Sequence, residues 1–345
     1  MLDVNKYTIG IVGGSGFVGL SLARYLSPAF NLKILDVREP ADKSFIFEQC
    51  DIRNYKGVER ALADVDVVIH TAIIQIPLIN ESKRLAYEVN FIGTHNVCKA
   101  VDELPNVKGM ILAGSWHTIG ERGVEGVVNE EFGYRPDKVE DRARLYVLSK
   151  IAQETIVRYY DEMSTKIYGI LRLGTVLGEN MPEKTAANIF IENGLKGKPL
   201  TPFKHSMYRP MLYVDINDVC YAFEAFVKKI IEEKKKNCKS LDHIVNLYYP
   251  EPITIFELAE IIKDIIAKLT AGNVMPTIEI VDQGLEPLFQ ETDKVRFKVD
   301  VSKSFRILGL RKLTHPRETL ERTIRSRLSS SKKLREPWYC SDGDS

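Results

Sequence analysis

The chain has 345 residues, with 48 Lys and Arg against 47 Asp and Glu and a formal net charge of +1. That balance argues against a whole-protein attraction to nucleic acid or to an anionic membrane, and no apolar run is long enough to span a bilayer. A hydrophobic fraction of 44% and a charged fraction of 28% are ordinary for a soluble protein, and the length suits a large α/β domain with an added lobe.

The five cysteines (Cys50, Cys98, Cys220, Cys238 and Cys340) are odd in number, widely spaced and free of any C-x-x-C. They read as reduced thiols of a cytoplasmic protein. The first apolar run begins at Thr8 and enters a glycine turn at once, unlike a secretion signal. The six histidines have no metal-ligand spacing, so no metal site is expected.

In chain order, residues 7–12 read as a strand. Val18, Leu22 and Leu26 then recur on one helical face. Residues 32–37 form a second strand, 58–62 a short helix and 65–70 a buried strand. Leu85, Val89, Ile92, Asn96 and Ala100 mark one long helix, and 110–113 a fourth strand. Near-continuous apolar strands between amphipathic helices imply a parallel sheet covered on both faces. A helix from about 146 to 163 and a strand at 167–173 continue the pattern, which breaks up between 174 and 210 among Gly and Pro. Residues 215–227 read as a helix with a charged continuation, 228–236, whose run 232–236 is a solvated end. Thr254 and Glu257 form a capping box that opens a helix with an apolar stripe from Leu258 to Leu269. Two further elements cover 303–310 and 317–328.

The expected fold is therefore α/β: a doubly wound parallel Rossmann sheet with a smaller α/β C-terminal lobe. Residues 1–173, with 211–248 returning to them, make the first unit. Residues 174–210 and 249–328 make the second, and 329–345 form a disordered tail. The basic cluster Arg322, Arg325, Arg327, Lys332, Lys333 and Arg335 is read as solvated, with no nucleic-acid or membrane partner.

Gly13, Gly16 and Gly19 follow a G-x-x-G-x-x-G spacing directly after the first strand. Such glycines allow a tight turn, close approach of backbone to a pyrophosphate, and tight packing of the next helix on its strand. The N–H groups that open this helix, through Phe17 and Val18, then face the phosphates. Asp36 ends the second strand, where this fold places an acid on the adenosine ribose hydroxyls. A carboxylate there repels a 2′-phosphate and favours NAD, while Arg38 is a counter-signal because it can neutralise one. Tyr146 and Lys150 share a helical face. A neighbouring ammonium favours a phenolate, which can then take a hydroxyl proton while hydride leaves the same carbon. Ser115 follows the fourth strand at its carboxyl edge, in reach of the reacting oxygen.

The glycine turn, the acid and the Ser, Tyr and Lys in this order resemble the extended short-chain dehydrogenase/reductase family, in particular its NAD-dependent epimerase/dehydratase branch. The likeness runs over about 7–325, through GGSGFVG at 13–19, ILDVR at 34–38, CDIR at 50–53, VVIHTA at 67–72, VNFIGTHNV at 89–97, ILAGSWHTIG at 111–120, YVLSK at 146–150, LRLGTVLG at 171–178, RPMLYVDINDV at 209–219 and DVSKSFRILGL at 300–310. The resemblance implies that Asp51 and Ile52 flank the adenine, that Thr71 and Ala72 line the cofactor cleft, and that Asn90 supports the helix beside it. It assigns catalysis to Ser115, Tyr146 and Lys150, with Lys150 also holding the nicotinamide ribose. Arg209 matches an arginine that contacts the diphosphate of nucleotide sugars; His117 is a candidate acid or substrate contact, and Trp116 is expected to pack over the substrate or the lobe interface. Where sugar dehydratases of the family carry Thr-Asp-Glu, this chain has Ser115-Trp116-His117, which argues against loss of water.

The expected activity is NAD-dependent redox chemistry on a sugar, with nucleotide-sugar epimerisation as the leading form. A net dehydrogenase or reductase of a free sugar, uronate or other small hydroxy compound is the alternative within enzymes. A dinucleotide-sensing binding protein is the alternative outside them. The family's habit of pairing two helices per subunit implies a homodimer.

Overall fold

The computed structural model describes residues 6–233, 235–236 and 239–333. The chain begins β1 (Thr8–Val12), α1 (Phe17–Leu26), β2 (Asn31–Asp36), β3 (Ile46–Gln49), α2 (Tyr55–Ala61) and β4 (Val67–His70). Helices α3 (Leu78–Glu81), α4 (Lys83–Tyr87) and α5 (Thr94–Glu103) precede β5 (Gly109–Ser115), β6 (Gly126–Val128), α6 (Arg144–Met163), β7 (Ile167–Leu173) and β8 (Thr175–Leu177). Then come α7 (Ala186–Leu195), β9 (Pro210–Met211), β10 (Tyr213–Asp215), α8 (Ile216–Glu232), β11 (Ile244–Leu247), β12 (Ile253–Thr254), α9 (Ile255–Leu269), β13 (Phe297–Val299), α10 (Ser302–Leu308) and α11 (Pro316–Lys333).

Seven strands form one parallel sheet in the order β11-β7-β5-β4-β1-β2-β3. Strand order reverses at β1, so the carboxyl ends of β1 and β4 open a crevice where such sheets take ligands. Alternation along each strand divides the core. Ile11, Ile34, Ile69 and Ile111 join Leu22, Phe223 and Phe226 from α1 and α8 on one face. Val12, Leu35, Val68 and Leu112 join Val58, Val97, Val101 and Val157 from α2, α5 and α6 on the other. Both faces are buried, which is why these strands read as continuous apolar runs.

α10 packs against β11 and α8, and α11 against β8 and β10. α9 begins at the Thr254–Glu257 capping box and packs against α7 and α11. Three two-stranded ladders, β10-β8, β12-β9 and β13-β6, tie these segments back to the chain that leaves β5 and β7.

Several local expectations change. The single helix expected over residues 85–100 is α4 and α5 joined by a π-helical turn, Glu88–Gly93, which carries Asn90. The edge strand β3 has no periodic apolar signal, because its side chains are exposed or half-buried. Lys235, read as part of a solvated end, instead donates to the carbonyls of Asp161 and Ser164 and pairs with the Asp161 carboxylate at 3.0 Å. The tail expected from 329 is helical as far as Lys333, while 334–345 lie outside the described residues. Three arginines of the basic cluster are also held: Arg322 pairs with Asp215, Arg325 with Glu321 at 2.8 Å and Arg327 with Glu192 at 3.0 Å. Cys50, Cys98 and Cys220 are free thiols and buried. Among the described residues no helix is long and apolar enough to cross a membrane, and no side-chain cluster could hold a metal ion.

Candidate active site

A cleft of about 350 Å³ opens at the carboxyl edge of the sheet. Gly13, Gly16, Phe17, Val18 and Gly19 line it from the β1–α1 turn, and Thr71 lines it after β4. Gly114 and Ser115 of β5, His117, Tyr146 and Lys150 also line it, as do Thr175, Pro182, Thr185 and Arg209.

The glycine turn has a steric reason. Gly13 has φ +79, and a Cβ there would lie 2.5 Å from the backbone nitrogen of Ala72. At Gly19 a Cβ would lie 2.6 Å from the carbonyl oxygen of Gly13, so only glycine lets α1 start this close to the turn. Thr71 Oγ1 donates to the carbonyls of Val12 and Gly13 at 3.0 Å and locks the turn to β4. Asp36 faces the same turn: Oδ2 accepts from Ser15 N and Oδ1 from Arg38 N, both at 3.1 Å. Asp51 is brought alongside by the β2–β3 pairing, with Cys50 N donating to Asp36 O at 2.9 Å.

Tyr146 lies in the first turn of α6 and Lys150 one turn later. Burial pushes the Tyr146 hydroxyl above its ordinary pKa, and the neighbouring Ser115 hydroxyl acts against that shift. The expected acidifying ammonium is not directed at it. Lys150 Nζ donates to Ala113 O at 2.8 Å and to Gln153 Oε1 at 3.1 Å. Helical spacing fixed the shared face, but a carbonyl at the end of β5 decides where the flexible lysine points. Desolvation lowers Lys150 to about 7.

Other expected residues take different places. Ile52 is buried against the π-helical turn, where a Cβ on Gly93 would lie 2.5 Å from it, and the Asp51 carboxylate is held by Arg53. Asn90 is buried and does not line the cleft. Its amide bonds the Ile74 backbone and Ser149 Oγ, so it ties the loop after β4 to α6. Ala72 meets the turn through its backbone. Trp116 points into the core at 2% exposure, with its indole nitrogen 3.3 Å from Thr175 Oγ1, and is not among the residues that line the cleft. Arg209 reaches the cleft, but Glu121 and Glu140 both pair with its guanidinium.

Gln153 and Glu121 were missed. Gln153 Nε2 also donates to Ala72 O at 3.1 Å and Thr94 Oγ1 at 2.9 Å, which joins Lys150 to β4 and α5. Its helical position, three after Lys150, was its one legible signal. Glu121 directly follows the S-x-x-x-x-G run, but its partners come from distant segments.

The model of the NAD dependent epimerase/dehydratase family matches residues 9–239. The chain belongs to that family. The open glycine turn beside Asp36 fits the dinucleotide that the family's description names. Family relatives include a bovine sterol-4-alpha-carboxylate 3-dehydrogenase, decarboxylating, 29% identical over 54% of this chain and 51% of that protein, so the chain spans about half its length. A putative UDP-glucose 4-epimerase of Methanocaldococcus jannaschii is 27% identical over 73% of this chain and 80% of its own. The UDP-glucose 4-epimerase of Thermus thermophilus, solved with NAD, superposes with a TM-score of 0.73 at 23% identity, covering 93% of this chain and 99% of that one.

Proposed function

We propose that the enzyme is a nucleotide-sugar epimerase in which Tyr146, Ser115 and Lys150 act on one sugar carbinol. The observation that carries this reading is the convergence of the glycine turn, Ser115, Tyr146 and Lys150 on a single cleft. Gly13, Gly16 and Gly19, with Phe17 and Val18, would hold the pyrophosphate, Asp36 the adenosine ribose, and Lys150 the nicotinamide ribose. NAD, when bound, supplies a reversible hydride acceptor. Tyr146 removes the substrate's hydroxyl proton and later returns it, Ser115 holds the reacting oxygen, and residues 174–210 with 249–328 form the substrate lobe. A homodimer and a cytoplasmic location belong to this reading.

A second reading has its own support. Arg209, the candidate diphosphate contact, already carries two carboxylates, and a sterol 3-dehydrogenase is among the relatives. Both favour net oxidation of a less charged hydroxy compound. Incubating the protein and NAD with nucleotide sugars, free sugars and sterol carboxylates separates the two. Epimerisation is expected to give a new sugar by NMR without accumulation of NADH, and stoichiometric NADH would establish the second reading instead.

The ribose role of Asp36 has a separate test. Hydrogen bonds to a charged group contribute about 1.5–3 kcal/mol, so Asp36→Ala should weaken NAD about tenfold to a hundredfold and narrow its advantage over NADP. Calorimetric titration measures both, and unchanged affinities would remove Asp36 from the cofactor site.

A further inference from the structure

His117 occupies an unusual junction. Its Nδ1 lies 3.2 Å from Ser115 Oγ, and its Nε2 lies 3.2 Å from Glu121 Oε1. Its ring stands edge-on to that of Tyr146, with centroids 5.9 Å apart. The other Glu121 oxygen, Oε2, is buried with no hydrogen-bond partner among the described residues. Hydroxyl, imidazole and carboxylate thus stand in line behind the phenol.

The charges around this line fix its polarity. Nε2 facing a carboxylate oxygen must carry the hydrogen, which leaves Nδ1 as acceptor from Ser115. Arg209 Nη2 lies farther from Nε2, at 3.5 Å. Arg209 and Glu140 flank Glu121, and Arg142 pairs with Glu140 at 2.6 Å. Burial, then Arg209 and Arg142, hold His117 well below its ordinary pKa and disfavour a lasting imidazolium. Burial raises the Glu121 carboxyl above its ordinary range in spite of Arg209. The end of the line is therefore a better resting place for a proton than its middle.

We propose that Ser115, His117 and Glu121 form a proton relay that carries a proton from Tyr146 to the Glu121 carboxylate. The substrate O–H breaks as Tyr146 gains that proton. Tyr146 passes its own proton to Ser115, Ser115 passes one to His117 Nδ1, and Nε2–H passes to Glu121. One proton leaves the substrate, one arrives on Glu121, and His117 changes tautomer while staying neutral. The hydride of the same carbinol goes to the family's cofactor, which balances the oxidation. A relay of this kind lets Tyr146 act without a standing phenolate, in keeping with Lys150 being directed elsewhere. The inference rests on the assignment of Tyr146 as the group facing the substrate hydroxyl.

The test uses the full chain. Nitrogen-15 NMR, with His117 assigned through His117→Gln, is expected to find the Nε2–H tautomer, and Glu121→Gln should remove that bias. In rapid mixing with NAD and UDP-glucose, both variants should slow nicotinamide reduction by about a hundredfold, the scale of general acid–base assistance. The double variant should be no slower than His117→Gln, because the residues act as one unit. His117→Gln leaves the Arg209–Glu121 pair in place and so remains informative if Glu121→Gln does not fold. An Nδ1–H tautomer in the wild type, or variants that reduce nicotinamide at the wild-type rate, would overturn the relay. If UDP-glucose gives no reduction with the wild type, the substrate reading fails, and the tautomer alone decides the relay.

Discussion

Tyr146→Phe should lower turnover by about two to four orders of magnitude while leaving NAD affinity and thermal stability near those of the wild type. The change removes one oxygen and keeps the ring that packs edge-on to His117. Tyr146 lines the cleft together with Ser115 and His117. Loss of rate with retained NAD binding separates a role in proton transfer from one in holding the cofactor. Turnover is followed by NMR of the product, and affinity by titration with NAD. An enzyme that works equally well with phenylalanine would end the assignment of Tyr146 and, with it, the entry point of the relay.

Arg172→Met should cost about 3–5 kcal/mol of stability, the scale for breaking one side of a buried ion pair. Arg172 of β7 is 2% exposed, and its Nε and Nη2 meet the Glu154 carboxylate, which is 0% exposed. Its Nη1 donates to Glu130 O at 2.9 Å. After the substitution, Glu154 keeps the Tyr134 hydroxyl at 2.8 Å, and the Glu130 carbonyl loses this donor. Glu154 lies one turn beyond Lys150 on α6, so the pair also sets how that helix seats on the sheet. The double change Arg172→Met with Glu154→Leu should recover much of the loss, because two apolar residues leave no unpaired charge. Thermal denaturation of the three proteins measures this. A single variant as stable as the wild type would mean that solvent reaches the pair.

Legibility differed by the kind of interaction. The parallel sheet was readable because both of its faces are buried, which leaves apolar runs at β1, β2, β4, β5 and β7. Its edge, β3, was not, because half-exposed side chains carry no such signal. The π-helical turn at Glu88–Gly93 keeps nearly the residue spacing of a helix, so periodicity passed over it.

The same division runs through the cleft. The sequence by itself determined the glycine turn, the acid at the end of β2 and the helical face that Tyr146 shares with Lys150, because each depends on backbone geometry over a few residues. Tertiary structure alone decided that Lys150 turns to Ala113, that Trp116 faces inward, that Asn90 braces a loop, and that Glu121 and Glu140 neutralise Arg209. The partner of a buried polar group is whatever lies nearest in a folded interior of low dielectric, and here those partners come from strands and loops remote in the chain.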